Sequence, residues 1–270
     1  MAPRMMEPAL AARLGASLRA ADPDRYFSAL FAPAPLRPYL LALYAFNHEV
    51  ARVAETVREP MLGAIKLEWW RETVESAFTG APRNHDVAKG LAALFQAVPL
   101  PQAEFEAIIA ARAFDASGET FPDLAALETH IDATGGAIMR LAAKILGGDP
   151  ALARPAALAY GLTGLLRSLG FHNARHKLYL PLDLLHAVGL TPETFFAANH
   201  DPRVDAVAHQ VALRARDHFL AARRAARPRA ALPALLPAAL VPVYLRRLGR
   251  EVPIHRRQMA LLAAAMKKRL

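Results

Sequence analysis

Tyr44-Ala-Phe-Asn-His-Glu-Val-Ala-Arg-Val-Ala-Glu55 is the stretch on which the fold turns. Residues four apart share one face of a helix, so Asn47, Ala51 and Glu55 form one stripe and His48 and Arg52 the neighbouring one. Polar groups set into an otherwise apolar helix cost free energy unless they are paired or used. The stretch is therefore either a cavity wall or the exposed charged face of an amphipathic helix, and periodicity alone leaves both open. Outward from it, Leu36 to Val57 reads as one long helix and Leu62 to Phe78 as the next, stopped by Thr79-Gly80-Ala81-Pro82.

The same reading extends to both ends. Helices are expected over Asp86 to Ala97, Gln102 to Asp115, Leu124 to Leu146 (ended by Gly147-Gly148), Ala151 to Leu169 and Val204 to Arg227, with short ones over Leu182 to Ala187 and Pro192 to Ala198. Asp22-Pro23, Asp149-Pro150 and Thr191-Pro192 each put a capping side chain before a proline at the first helical position. Strand-period alternation and hairpin turns are nearly absent, and no repeat of fixed period appears. Composition shifts near Arg223-Arg224 toward Pro, Ala and Arg. The expectation is one all-α domain over residues 1–227, with a basic helical segment, 228–270, packed on it.

Of the 270 residues, 54 % are hydrophobic but only 7 % aromatic, a balance that builds packed helices and excludes a disordered or collagen-like chain. The absence of cysteine excludes disulfides, Cys-ligated zinc, iron–sulfur clusters and a thiol nucleophile, and suits a reducing compartment. The longest apolar run, Ala231 to Leu245, is broken by Pro233, Pro237 and Pro242 and falls short of the roughly 20 residues that cross a bilayer. Arg4, Glu7, Arg13 and Arg19 interrupt the first residues, so no secretory signal core is present there; an ordinary first helix and an Arg-rich transit peptide both fit.

A second polar stretch, Arg167-Ser-Leu-Gly-Phe-His-Asn-Ala-Arg-His-Lys-Leu-Tyr-Leu-Pro181, gathers Arg167, His172, Arg175, His176 and Lys177 at the end of a helix. Guanidinium forks and an ammonium so close together could hold an anion such as phosphate. Equally, cations favour a helix C-terminus for its dipole alone. His172 and His176 lack the third ligand that a metal site needs.

These two stretches carry a family resemblance. The chain resembles the squalene/phytoene synthase family over roughly Asp22 to Arg227. The landmarks are Pro23-Asp-Arg-Tyr-Phe-Ser-Ala-Leu-Phe-Ala-Pro33, Leu43-Tyr-Ala-Phe46, Leu67-Glu-Trp-Trp-Arg71, the Asp115 region, Ala133-Thr-Gly-Gly136 and Leu178-Tyr-Leu-Pro181. The resemblance implies an isoprenoid-synthase-type helical bundle around a central cavity. In active members, two aspartate-rich helices facing that cavity hold the magnesium ions that bind and ionise prenyl diphosphates.

Here the motifs are degenerate. The first, Asp-Asp-x-x-Asp, falls on Ala51, Arg52 and Glu55; the second falls on Ser168, Phe171 and His172; the preceding Cys-Arg is replaced by Asn47-His48. Hard Mg²⁺ wants several oxygen ligands, and Glu55, even with Glu49 or Asp115 nearby, cannot replace two acidic walls. No catalytic residues, metal or cofactor are therefore expected, with Glu55 the one residual candidate ligand and Mg²⁺ required only if the chain is a prenyltransferase with an altered site. Arg52 and His172 are expected where the cations would sit. Tyr44, Asn47, His48, Arg52, Asp115, Arg167, Arg175, Lys177 and Tyr179 are the candidate anion or ligand pocket.

The Tyr-Ala-Phe-Asn-x-Glu pattern at Tyr44 to Glu49, Trp69-Trp-Arg-Glu-Thr-Val-Glu75 and the basic run before Tyr179 are similar to a non-catalytic branch of the family, which includes the mitochondrial assembly factor 6 of respiratory complex I. That resemblance implies an assembly or lipid-binding factor peripheral to the inner or cytoplasmic membrane, on the matrix side in a eukaryote. Its partners would be a membrane surface or membrane-protein client and a prenyl or other lipid. The net charge of +9 suits an anionic surface, while no nucleic-acid-binding module is recognisable and none is expected. The tail from Arg246 to Arg269 alternates basic clusters with an apolar helix-length block, which either lies on anionic lipid or packs on the domain with a solvated basic face.

Overall fold

The computed structural model describes residues 6–57, 59–197, 201–225 and 230–270, and within them every regular element is helical. The first half comprises α1 (Pro8–Ala21), α2 (Pro23–Ala29), α3 (Arg37–Ala51), α4 (Val53–Thr56), α5 (Pro60–Phe78), α6 (Asp86–Ala97) and α7 (Gln102–Ser117). It continues through α8 (Leu124–Ile131), α9 (Ala137–Ile145), α10 (Ala153–Arg167), α11 (Leu169–Asn173), α12 (Leu182–Ala187), α13 (Pro192–Ala197) and α14 (Pro202–Arg224). The chain closes with α15 (Leu232–Leu235), α16 (Val241–Leu245) and α17 (Ile254–Lys267). Ala198 and Arg227, the expected ends of two helices, and the 227/228 boundary lie outside the described residues.

Prolines and caps act where the sequence places them. Asp22 accepts from the Arg25 amide and Asp149 from the Ala151 amide, each ahead of a proline at the first helical position. Thr191 Oγ1 accepts from the Thr194 amide in the same role. Two expected single helices are broken. Leu36 to Val57 divides at Arg52 (φ −76°, ψ −6°), and the chain leaves α4 extended at Val57. Glu59 is extended ahead of Pro60, whose ring disfavours a helical predecessor. Leu124 to Leu146 is interrupted by a π-turn over Asp132–Gly136, whose two glycines tolerate the widened ladder.

Two apolar cores flank the centre. One joins α1, α3, α5, α6, α7 and α9 around Leu14, Leu40, Phe46, Trp70, Leu91 and Phe105. The other joins α8, α10, α12 and α14 around Leu127, Leu158, Leu162, Leu180 and Val211. The C-terminal stretch packs on the rest of the chain: Ala231, Leu235, Leu236, Leu240, Val241 and Tyr244 are buried, as are Leu261 and Ala264 of α17. Its basic residues Lys267 and Lys268 and the apolar side chains of Met259, Leu262 and Met266 face solvent.

Candidate functional site

A cavity of about 420 Å³ is lined by residues of α3, α4, α7, α8, the π-turn, α10 and α11. Ala51, Ala54 and Glu55 from one stretch and Ser168, Phe171 and His172 from the other all line it. Below them the lining turns apolar and small, with Leu127, Ile131, Gly161, Gly164 and Leu165. Gly161 is required there, because a Cβ would sit 2.4 Å from Ile131 Cγ2. The π-turn has a local consequence, since Thr134 and Gly135 of the widened turn reach the cavity wall.

Asp115 organises the polar half. It is only 6 % exposed, and it accepts from Arg112 Nη1 at 3.0 Å and Tyr179 OH at 3.3 Å, with His130 Nε2 at 3.0 Å. Lys177 Nζ donates to its backbone carbonyl at 3.1 Å. Burial pushes the carboxyl up, but the His130 hydrogen bond and the Arg112 charge outweigh it and hold the pKa at about 2. Tyr179 is driven well above the ordinary phenol range by burial and by the Asp115 charge. Burial pushes the His172 imidazole down and favours its neutral form, while the Asp115 charge pulls the other way.

Asp22 is held by Arg25 at 2.7 Å, and the Arg25 guanidinium lies between the rings of Tyr160 and Tyr44, 5.3 and 6.0 Å from their centroids. Among the described residues, Arg175 and Lys177 line the cavity with no carboxylate partner; Arg175 stacks 3.7 Å over the Phe171 ring. Asn47 Oδ1 is buried without a hydrogen-bond partner.

The fold brings Asn47, His48, Ala51, Glu55, Asp115, Ser168, Phe171, His172, Arg175, Lys177 and Tyr179 to one chamber. Three expected members are elsewhere. The break after α3 turns Arg52 outward, where it pairs loosely with Glu49 (3.8 Å) beside Trp69 and Trp70, so it does not occupy a cation position in the cavity. Arg167 lies 3.6 Å over the Tyr244 ring and 3.8 Å from Asp24, facing a separate groove. Tyr44 is buried beneath the wall, its hydroxyl without a partner and its pKa raised by burial. Arg25, Arg112, His130 and Tyr160 were missed as wall residues. Arg112 and Arg25 had a legible signal, each standing three residues from an aspartate, Asp115 and Asp22; His130 and Tyr160 are contributed across elements far apart in the chain.

The donor set does not suit Mg²⁺. Asp22 and Asp115 are committed to arginines, Ala51 and Ser168 offer no carboxylate, and Glu55 alone remains. Among the described residues no three His, Asp or Glu side chains converge on a point.

Comparison with known proteins gives a consistent kinship. The model of the family described as squalene/phytoene synthase matches residues 18–261. The chain is 29 % identical over 239 residues to the Homo sapiens protein NADH dehydrogenase (ubiquinone) complex I, assembly factor 6, covering 86 % of this chain and 72 % of that one. It is 30 % identical over 197 residues to presqualene diphosphate synthase of Rhodopseudomonas palustris, covering 70 % and 69 %. A crystal structure of a dehydrosqualene synthase in complex with ligand superposes with a TM-score of 0.78 at 16 % identity, covering 96 % of both chains.

Proposed function

The chain belongs to the squalene/phytoene synthase family, and from that premise we propose that it is a catalytically degenerate member, acting as an assembly or lipid-binding factor for a membrane-bound respiratory complex. The observation that carries the reading is the cavity lining, where Ala51, Ser168 and His172 stand at the positions that the family's motifs would fill with carboxylates. A site that ionises a diphosphate through magnesium needs acids to hold the metals. This one presents fixed cations, Arg175 and Lys177, above a small apolar chamber. Such a chamber can hold an anionic head group with its chain below and has no means of activating the leaving group through metals.

The likeness to complex I assembly factor 6 supports the respiratory-complex assignment. No described helix is long and apolar enough to cross a membrane, and in this reading the protein works peripherally, on the cytoplasmic or matrix face of the inner membrane, with a membrane-protein client. A second reading, a prenyltransferase with an altered metal site, is favoured by the likeness to presqualene diphosphate synthase. The two are separated by calorimetry and product extraction with farnesyl and geranylgeranyl diphosphate, with and without Mg²⁺. The pseudoenzyme reading expects no metal-dependent binding and no product. Turnover with release of diphosphate overturns it.

A further inference from the structure

A larger cavity, of about 980 Å³, lies on the α14 side of the α10–α11 junction. Ser168 and Phe171 line both cavities, so one thin wall divides them. Asp205, Ala208, His209, Ala212, Leu213 and Arg216 follow the spacing of a single helix face and turn it into this groove, while Val207, Val211 and Ala215 are the buried face of α14. Because Ala208 and Ala212 are small, the floor stays open, and Leu166, Leu245 and Leu248 complete it with aliphatic carbon.

The edge of the groove is cationic. Arg167, Arg216, Arg250 and Arg257 line it, against Asp205 and Glu251. Arg167, 37 % exposed, and Arg257 share the single carboxylate of Asp24, and the buried Nε of Arg257 has no acceptor. Among the described residues no ion pair engages Arg216 or Arg250. Guanidinium forks match phosphate oxygens in pairs, and an aliphatic floor beside them matches a hydrocarbon chain.

We propose that this groove binds one phosphate-headed lipid, with the chain on Leu166, Ala208, Ala212, Leu245 and Leu248 and the phosphate on Arg216, Arg250 and Arg257. Size favours a single amphiphile over a docked peptide. The volume lies within the range of small-molecule sites, whereas a helix about 10 Å across would fit for only about two turns. The site stands independently of what the central cavity holds.

The test is titration of the intact protein with dihexanoyl phosphatidic acid, followed by calorimetry and native mass spectrometry, with dihexanoylglycerol and inorganic phosphate as the two halves of the ligand. One molecule should bind saturably, at least tenfold more tightly than either half. Ala212→Trp, which fills the floor, should weaken it at least tenfold, about 1.4 kcal/mol. Since that variant also touches a packed helix, the exposed pair Arg216→Ala with Arg250→Ala gives the same loss without disturbing the core. Binding of dihexanoylglycerol as tight as the phosphatidic acid removes the head-group site. Inorganic phosphate binding as tightly removes the chain site. Unchanged affinity in the folded arginine variant overturns the placement.

Discussion

Replacing Asp24 by alanine tests how the C-terminal segment is held. Asp24 is 4 % exposed and accepts from three donors drawn from distant parts of the chain: Arg257 Nη1 at 2.9 Å, Tyr160 OH at 3.2 Å and Tyr244 OH. Removing one partner of a buried ion pair costs about 3–5 kcal/mol, because the other charge is left without compensation. Arg257 is 15 % exposed, so water recovers part of that loss. Two tyrosine hydroxyls also lose their acceptor, at about 1 kcal/mol each, while the desolvation cost of Asp24 itself disappears. The expected net loss for Asp24→Ala is about 4 kcal/mol, a fall in Tm of about 10 °C in a chain of this size. Asp24→Asn keeps one acceptor oxygen and should lose about half as much. The assay is thermal and urea unfolding, paired with limited trypsin digestion, which should cut more readily at Arg246, Arg247 and Arg250 once α17 loosens. A loss below about 1 kcal/mol, or equal losses for the two variants, would refute the idea that this carboxylate ties α2, α10, α16 and α17 together.

Three further outcomes are expected. Asp115 has its carboxyl held at about 2, below the ordinary value of 3.8, so its stabilisation is fully present above 3.8 and is lost as pH falls through 2. Wild type should exceed Asp115→Asn by about 2 kcal/mol at pH 7, and urea titrations should show that gap closing between pH 4 and 2; a gap independent of pH contradicts the assignment. Gly148→Ala would bring a Cβ within 2.6 Å of the Ala231 backbone nitrogen, costing about 2 kcal/mol by overpacking. Gly80→Ala, at φ +83° with open space around it, should cost about 1 kcal/mol from conformation alone, and equal melting shifts for the two would remove the steric argument. Finally, Ala51→Asp with Ser168→Asp should yield no Mg²⁺-dependent product from farnesyl diphosphate, because His172, Arg175 and Lys177 still face the added acids; product formation would mean the two acids were all that was missing.

The candidate site was legible only in part. Asn47, Ala51 and Glu55 at four-residue spacing on an otherwise apolar helix left a cavity wall and an exposed face both open, and Ser168 with His172 drew notice only through the family resemblance, which implies a second motif there. What could not be read was which way Arg52 and Arg167 turn. Arg52 sits beside that stripe in sequence, but the helix breaks at it and carries the guanidinium to Glu49 on the outside. Arg167 lies one residue before Ser168, and its direction is decided by Asp24 and Tyr244, 143 residues before and 77 residues after it in the chain. His130 and Tyr160 were invisible for a related reason, since each acquires its meaning from a carboxylate that packing supplies.

By itself, the sequence determined the helical class and most helix ends, because periodicity, capping residues and prolines act over a few residues and need no partner. Tertiary structure alone decided that Ala51, Ser168 and His172 line one cavity, that a proline-broken apolar run is buried, and that four arginines scattered from 167 to 257 border one groove. Those are juxtapositions between elements far apart in the chain. They follow from burying the apolar faces of all the helices at once, a condition that no single window of residues contains.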